Sequence, residues 1–383
     1  DVEGDFTLEA TENATLIISY VGYLTREIAV GNQTVFNIEL IEDVSQLEEI
    51  VVIGYGVQQK KLVTGATGQM KGDDITRLST VDALQALQGQ VAGVNITSTS
   101  GQPGSGMKVR IRGAGTIGNA EPLYIVDGIQ TGDISYLNNS DIESIDVLKD
   151  AAAAAIYGSQ AANGVVLITT KSGKAGKSAI AFDSFYGIQE PTRQIRMLNS
   201  HEYAVIMNEA AMNSGKMPYF TMDQINAMSE GTDWIDEMVY DNAPTQNYAL
   251  GISGGNKQSV YSLSLSYTGQ DGIIGGPGLS EYNRYAFRVN TEHTIIDKIL
   301  KVGQRLTFSY IDRNGIAVGN QYNNHFRGAF NTSPFLPMFD DSGNYLNNSR
   351  NRGVMYQGQE WVPWNDGESN PYASMIFNNQ AKN

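Results

Sequence analysis

From about residue 179 onward the chain alternates with period two, and each run carries one aromatic–aliphatic face and one small-polar or basic face. In residues 260–268, Tyr261, Leu263, Leu265 and Tyr267 fall on one side and Ser262, Ser264 and Ser266 on the other. In residues 282–290, Tyr285, Phe287 and Val289 oppose Arg284, Arg288 and Asn290. In residues 301–310, Val302, Leu306, Phe308 and Tyr310 oppose Lys301, Gly303, Arg305, Thr307 and Ser309. Weaker runs cover 180–188 and 246–253. Period two is the strand period. A soluble sandwich alternates in the same way. Two features favour a membrane barrel: tyrosines and phenylalanines sit at strand ends, and the connections alternate in length. Residues 254–257 and 295–297 make short connections, whereas 189–245 and 314–383 are long. By that parity the long loops face outside and the short turns face the periplasm. Some five strands cannot close a barrel, and their open edge would leave unpaired N–H and C=O groups in lipid. Further strands are therefore expected beyond this sequence.

Upstream the pattern is different. Residues 57–173 read as a compact mixed α/β segment. Val81, Leu84 and Leu87 suit an amphipathic helix over 81–88, and strands are expected at 91–97, 107–112, 123–126, 145–148 and 165–170. Between Asp150 and Lys171 no charge occurs, a length that would suit a transmembrane helix. Tyr157-Gly158-Ser159-Gln160 and Asn163-Gly164 break that run into a short alanine helix, a turn and a strand. Residues 1–41 look like a small β unit, with strand-like runs at 6–8, 16–20 and 35–40. The chain opens in the middle of such a unit without a basic and apolar leader, so upstream sequence is expected. After a polar linker at 42–46 comes Leu47-Glu48-Glu49-Ile50-Val51-Val52-Ile53-Gly54-Tyr55-Gly56. Four branched apolar residues in succession favour an extended strand. That strand is either one more core strand or a mobile segment that adds to the sheet edge of a partner.

Several chemistries are excluded. Lys plus Arg total 26 and Asp plus Glu total 41, a formal charge of −15, which denies a bulk nucleic-acid footprint. Without cysteine there is no disulfide scaffold, thiolate metal site or Cys nucleophile. His201, His293 and His325 are too far apart for a local metal motif. Gly113-Ala114-Gly115-Thr116-Ile117-Gly118 matches a dinucleotide fingerprint, but Pro122 and the next strand follow at once, leaving no helix to meet a pyrophosphate. Asp340-Asp341-Ser342-Gly343-Asn344 and Asp1-Val2-Glu3-Gly4-Asp5 lack the full register of a Ca²⁺ loop and read as turns. No catalytic residue, metal or cofactor is expected. A glycan-active enzyme would need paired carboxylates across a cleft, and no motif recommends one.

Leu123-Tyr124-Ile125-Val126-Asp127-Gly128, residues 142–150, Ile156-Tyr157-Gly158-Ser159 and residues 162–171 resemble the plug domain of TonB-dependent outer-membrane transporters. Residues 82–94 and Val109-Arg110-Ile111-Arg112-Gly113 belong to the same pattern. The form of these motifs resembles the SusC/RagA branch, and Thr232-Asp233-Trp234 and residues 254–261 are similar to its early barrel. The resemblance is weak beyond 313. It implies a large membrane β-barrel of about 22 strands with a mixed α/β plug in its lumen and a small β-sandwich-like extension. It divides the chain into the tail of a carboxypeptidase-regulatory-like extension with its linker (1–46), a TonB box (47–56), a plug (57–175) and the first part of the barrel with long extracellular loops (176–383). The implied function is TonB-dependent import of oligosaccharides or oligopeptides across the outer membrane, with a SusD-like surface lipoprotein as lid and the TonB-ExbB-ExbD complex as energy source. Outer-membrane lipid is the remaining partner. Leu47, Glu48, Glu49, Ile50, Val51, Val52 and Ile53 are the residues expected to meet TonB. Candidates for substrate contact are Gln102, Ser105, Asn119 and Tyr136 on plug loops, with Tyr356, Trp361 and Trp364 in the long second outer loop as stacking platforms. The alternative is a surface glycan-binding or adhesion β protein without transport, in which 47–53 would be a fixed, protected strand.

Overall fold

The computed structural model describes residues 8, 11, 13–18, 26–32, 35–36, 38–40, 50–53, 56–59, 67–113, 115–150, 155–176, 178–297, 299–319, 324–346, 355–356, 359–360 and 369–380. Near the start, β1 (Thr15–Ile18) pairs antiparallel with β2 (Arg26–Ala29). The run 35–40, read as a strand, carries none among its described residues. The return strand is Arg26–Ala29 instead. Val30 N–H donates to Ala14 O at 2.9 Å and extends that ladder, after which Gly31 at φ 54° turns the chain. Cross-strand pairing thus decides a segment whose own composition signals little. β3 (Ile50–Ile53) and β4 (Gly56–Gln59) form a second two-stranded pair.

The α/β body begins with β5 (Thr67–Lys71), which runs straight into the helix Gly72–Thr76. A one-turn helix, Ala83–Ala86, replaces the expected 81–88. It starts where Asp82 Oδ1 accepts the Leu84 N–H at 2.7 Å, and Gly89 at φ 74° follows just beyond it. β6 (Val94–Ser98) and β7 (Met107–Ile111) make a separate antiparallel pair. Then follow β8 (Leu123–Val126), β9 (Ile129–Thr131), the 3₁₀ turn Asn139–Asp141, β10 (Ile142–Leu148) and β11 (Val165–Thr170). The body sheet has the order β5-β10-β11-β8-β9, with β8 and β11 parallel and the other neighbours antiparallel. Residues 151–154 of the alanine run, read as a short helix, lie outside the described residues, and a 3₁₀ stretch at Ala155–Asn163 follows, broken at Gly158 (φ 68°). β10 and β11 are the central strands, and the sheet is covered on both faces. Ile145, Val147, Val166 and Ile168 join one apolar cluster with Leu84, Leu87 and Ile96, while Leu148, Val165 and Leu167 join another with Leu123 and Ile125. Burial on both sides is why β8 and the start of β11 read as continuous apolar runs rather than as alternation.

Five long strands form the wall: β12 (Ala179–Gln189), β13 (Ala243–Gly255), β14 (Ser259–Asp271), β15 (Glu281–Ile296) and β16 (Leu300–Asn314). They are antiparallel in sequence order. Every strand exceeds the range read from alternation, because the ladders continue past the apolar segment into polar residues. The register aligns Tyr248, Tyr267, Tyr285 and Tyr310 in one row across four strands. Neighbouring rings lie 6.4, 5.0 and 6.4 Å apart. Beneath them run Leu250, Leu265, Phe287 and Phe308, then Ile252, Leu263, Val289 and Leu306. Above them, on the long-loop side, the same face switches to Gln246, Gly269, Asn283 and Asp312. Except for half-buried Tyr267 and the residues Phe287 and Val289, this band is exposed, with Phe308 at 62% and Tyr285 at 51%. A polar edge, a tyrosine row and an aliphatic–aromatic belt is the outer profile of a transmembrane β-wall. Among the described residues no helix is long and apolar enough to cross a membrane.

The long connections are folded rather than loose. Helices occupy Ser200–Asn213, Met222–Asn226 and Trp234–Met238 in the first, and His325–Asn331 and Pro371–Gln380 in the last. Trp234, Ile235, Met238, Ile316, Leu336, Leu346 and Met375 bury together, so segments some 80–140 residues apart share one apolar core. Trp234 Nε1–H donates to Ser333 O at 3.1 Å, which satisfies the buried indole. Asp340 Oδ1 accepts from the backbone of Ser342 and Asn344, the turn expected there.

Candidate functional site

The opposite face of the wall is polar, and the α/β body lies against it. β15 contributes most to that contact because Arg284 and Arg288 share the inward register and are almost wholly buried. The Arg284 guanidinium donates to Ser135 O and, at 3.1 Å, to Thr268 Oγ1. Arg288 donates to Lys171 O and stands 3.8 Å from Asp141 Oδ1. Asn138 Nδ2 donates to Asn247 Oδ1 at 2.8 Å and approaches Thr268 Oγ1 at 3.3 Å. Thr268 Oγ1–H in turn donates to Asn247 Oδ1 at 2.9 Å. Arg305 on β16 reaches Asp127 Oδ2 at 3.9 Å, and Asp127, at φ 49° before Gly128, occupies the two-residue turn between β8 and β9. The chain leaves the body through Gly173, where a Cβ would meet Gly254 O at 2.5 Å and Tyr261 O at 2.3 Å. Only glycine lets the backbone press this closely on the wall. These contacts are hydrogen bonds and ion pairs rather than apolar packing, so the two parts are held by groups that water can also satisfy.

Three cavities flank this seam. The first, of 320 Å³, opens on the long-loop side and is lined by Asp82, Gln85, Gln88, Asp133, Gln270, Tyr282 and Arg284 among others. The second, of 390 Å³, lies towards the short-turn side between Asp73, Asp141 and Lys171 of the body and the small wall residues Ala249, Gly251 and Ser264. The third, of 530 Å³, is apolar, lined by Ile195, Ile274, Ile316, Phe326 and Phe330 of the folded loops. Burial is the main force raising the Asp82 carboxyl above the ordinary range, opposed by the Leu84 amide and the nearby Arg284 charge. Burial also raises the phenols of Tyr124 and Tyr136, so both rings are neutral hydrogen-bonding groups at neutral pH.

The candidate residues named from sequence separate on this map. Gln102 and Ser105 line the first cavity. Gln102 Nε2 donates to Ile316 O and so ties the body to the folded loops, and Ser105 Oγ donates to Ser100 O at 2.8 Å. Tyr136 packs on the main body cluster and lines none of these three cavities. Asn119 is exposed, accepts the Glu121 N–H at 3.0 Å and borders none of these three cavities. Tyr356 lies in a two-residue strand, Met355–Tyr356, whose side chains are not described, and Trp361 and Trp364 lie outside the described residues. Leu47, Glu48 and Glu49 also lie outside them, while Ile50, Val51, Val52 and Ile53 form β3. Sequence reading missed Asp82, Gln85 and Gln88. Their polar spacing of three was the available signal. For Asn138 no local signal exists, and for Arg284 alternation gave the face but not the partner, because their partners lie 109 and 149 residues away.

The TonB-dependent Receptor Plug Domain family model matches residues 59–165. TonB-dependent receptor P26 of Formosa agariphila is 37% identical over 387 residues, covering 99% of this chain and 36% of that protein. TonB-dependent receptor SusC of Bacteroides thetaiotaomicron is 30% identical over 407 residues, covering 100% of this chain and 38% of that protein. Among solved structures, the RagAB peptide importer in its open-open state superposes with a TM-score of 0.68 at 28% identity, over 85% of this chain and 38% of that one. The chain thus spans a little over a third of the length of the relatives it matches.

Proposed function

Because the chain belongs to the SusC-like TonB-dependent receptors, we propose that the protein to which it contributes imports a nutrient oligomer across the outer membrane, driven by TonB. The observation that carries this reading is the polar seam: a folded body rests on the inward face of a lipid-type wall through Asn138, Arg284 and Arg288 rather than through an apolar core. A stopper held by water-replaceable bonds can be displaced without unfolding the wall. The ligand, an oligosaccharide or oligopeptide, is captured at the long-loop end between the loops, the first cavity and a SusD-like lipoprotein lid. No residue in this reading performs covalent chemistry.

Residues 47–53 serve as the TonB-interacting segment on the periplasmic side. The strand geometry of Ile50–Ile53 supports this role, since an extended segment adds to a partner sheet through main-chain hydrogen bonds. Its antiparallel pairing with Gly56–Gln59 is then the contact that TonB exchanges for its own. The test is deletion of 47–56 in the full-length protein. Uptake is expected to be lost while outer-membrane insertion and lid binding persist; undiminished uptake overturns the assignment.

A further inference from the structure

The third cavity, of 530 Å³, is the largest of the three beside the seam and the least polar of them. It lies in the folded long connections, against the core that those connections share. Ile235 and Ile316 belong both to that core and to the cavity wall. Ile195, Val318 and Phe330 line the same space while 61%, 40% and 38% exposed. Phe330 meets Phe326 edge to face, with ring centroids 5.3 Å apart. Exposed apolar side chains scattered singly need no explanation, whereas several converging on one concave space mark a binding site.

Continuity says what kind of occupant reaches it. Gly101 and Gln102 line both this cavity and the first. Their loop is pinned on several sides. Gln102 Nε2 donates to Ile316 O, and a Cβ on Gly315 would meet Gln102 Oε1 at 2.6 Å. Gly104 N–H donates to Gln270 Oε1 at 3.2 Å, and Arg313 donates to Gly104 O at 3.3 Å. A Cβ on Gly104 would strike the Tyr282 ring. The partition between the two cavities is thus a fixed two-residue stretch, and one extended ligand can touch both sides of it.

The two sides differ in chemistry. The described lining of the first cavity carries the carboxylates of Asp82, Glu121 and Asp133 and one cation, Arg284, which already donates to Ser135 O and Thr268 Oγ1. That excess of acid suits an ammonium or guanidinium group. The third cavity offers isoleucine, valine and phenylalanine side chains, with Glu190 and Arg193 exposed beside them. A sugar ring carries hydroxyls around its edge, and burying them among such residues leaves them without partners. A hydrocarbon side chain gains from the same burial.

We infer that the third cavity is a side-chain pocket: it takes one large apolar side chain of an oligopeptide whose positively charged group occupies the first cavity. The ligand is then a cationic, amphipathic peptide and not a sugar. This rests on the import reading above and decides between the two ligand classes that reading leaves open.

The experiment incubates the full-length transporter, purified in detergent, with a degenerate pool of N-acetylated pentapeptides, and identifies the retained peptides by mass spectrometry. They should be enriched about tenfold in Phe, Leu or Met at one position, the scale of burying part of one such side chain. Lys or Arg should be enriched at another. Val318→Trp, which fills the pocket, should remove the apolar enrichment and keep the cationic one. Asp133→Asn, which keeps an oxygen for the Ser135 N–H, should do the reverse. Correct membrane insertion of each variant is read from heat-modifiable migration. Apolar enrichment that survives Val318→Trp overturns the pocket. Retention without apolar preference does the same, and is the result if a later loop of the same protein fills the cavity. Cationic enrichment that survives Asp133→Asn overturns the role of the first cavity. Saturable retention of a mixture of neutral pentasaccharides, with no peptide retained, overturns the peptide class. Peptides that are retained with these preferences but enter cells at the same rate with and without TonB would overturn the import reading and leave the pocket standing.

Discussion

Arg288 Nε stands 3.8 Å from Asp141 Oδ1 across the plug–wall seam, and the two side chains are only 5% and 9% exposed. An ion pair this deep is strongly coupled to its own surroundings. Removing one partner leaves a buried uncompensated charge, a loss of about 3–5 kcal/mol, whereas removing both costs far less. Arg288→Ala is therefore expected to loosen the plug more than Arg288→Ala with Asp141→Asn. Protease susceptibility of the plug in the full-length protein reads the difference.

Asp82 provides a pH prediction. Burial holds its carboxyl above the ordinary value of 3.8, so the folded protein binds this proton more tightly than the unfolded chain. The resulting stabilisation is complete below 3.8 and is lost as pH rises through the folded value. Above the folded value the ionised group is a cost. Asp82→Asn keeps an oxygen for the Leu84 N–H and removes the charge. It should flatten the pH dependence above the ordinary carboxylate range and stabilise the plug above the folded value, as measured by amide exchange at residues 83–87.

The outward face predicts a depth profile. Phe287→Arg, in the aliphatic–aromatic belt, should destabilise membrane folding by about 2–4 kcal/mol, and Asn283→Arg, beyond the tyrosine row, by about 0–1 kcal/mol. Urea titration of folding into lipid vesicles measures both.

In the first long connection, Asn199 Oδ1 accepts the Glu202 N–H at 2.9 Å while Glu202 reaches back to the Asn199 N–H at 3.2 Å. Arg196 holds the Glu202 carboxylate below its ordinary range, aided by that backbone bond. Asn199→Ala should cost the helix Ser200–Asn213 about 1 kcal/mol. Faster amide exchange in that helix, with the wall strands unaffected, is the expected result.

The wall was legible because Tyr261 to Tyr267 and Tyr285 to Val289 alternate without interruption, and one buried and one lipid-type face impose that period. β8 and the first four residues of β11 were legible for the opposite reason, being apolar at every position. β5 was not: Thr67-Gly68-Gln69-Met70-Lys71 has weak strand preference and is fixed by its ladder to β10. Helices of the long connections were missed because their apolar residues, such as Trp234 and Met375, pack on segments far away in sequence. The cavity residues were half legible. Gln102 and Ser105 sit on a loop whose position followed from the plug resemblance, whereas Tyr136 satisfies the core beside it and Arg284 acquires meaning only through β15's register with β14.

The most direct measurement places nitroxide spin labels along β14, β15 and β16 of the full-length protein in bilayers. Labels at Leu265, Phe287 and Phe308 should collide freely with oxygen dissolved in lipid and be shielded from a water-soluble nickel chelate. Labels at Ser264, Ala286 and Thr307 should be shielded from lipid and respond to displacement of the plug. Equal access of the chelate to both sets would contradict the account, because the wall would then be a water-soluble sheet with no lumen to close.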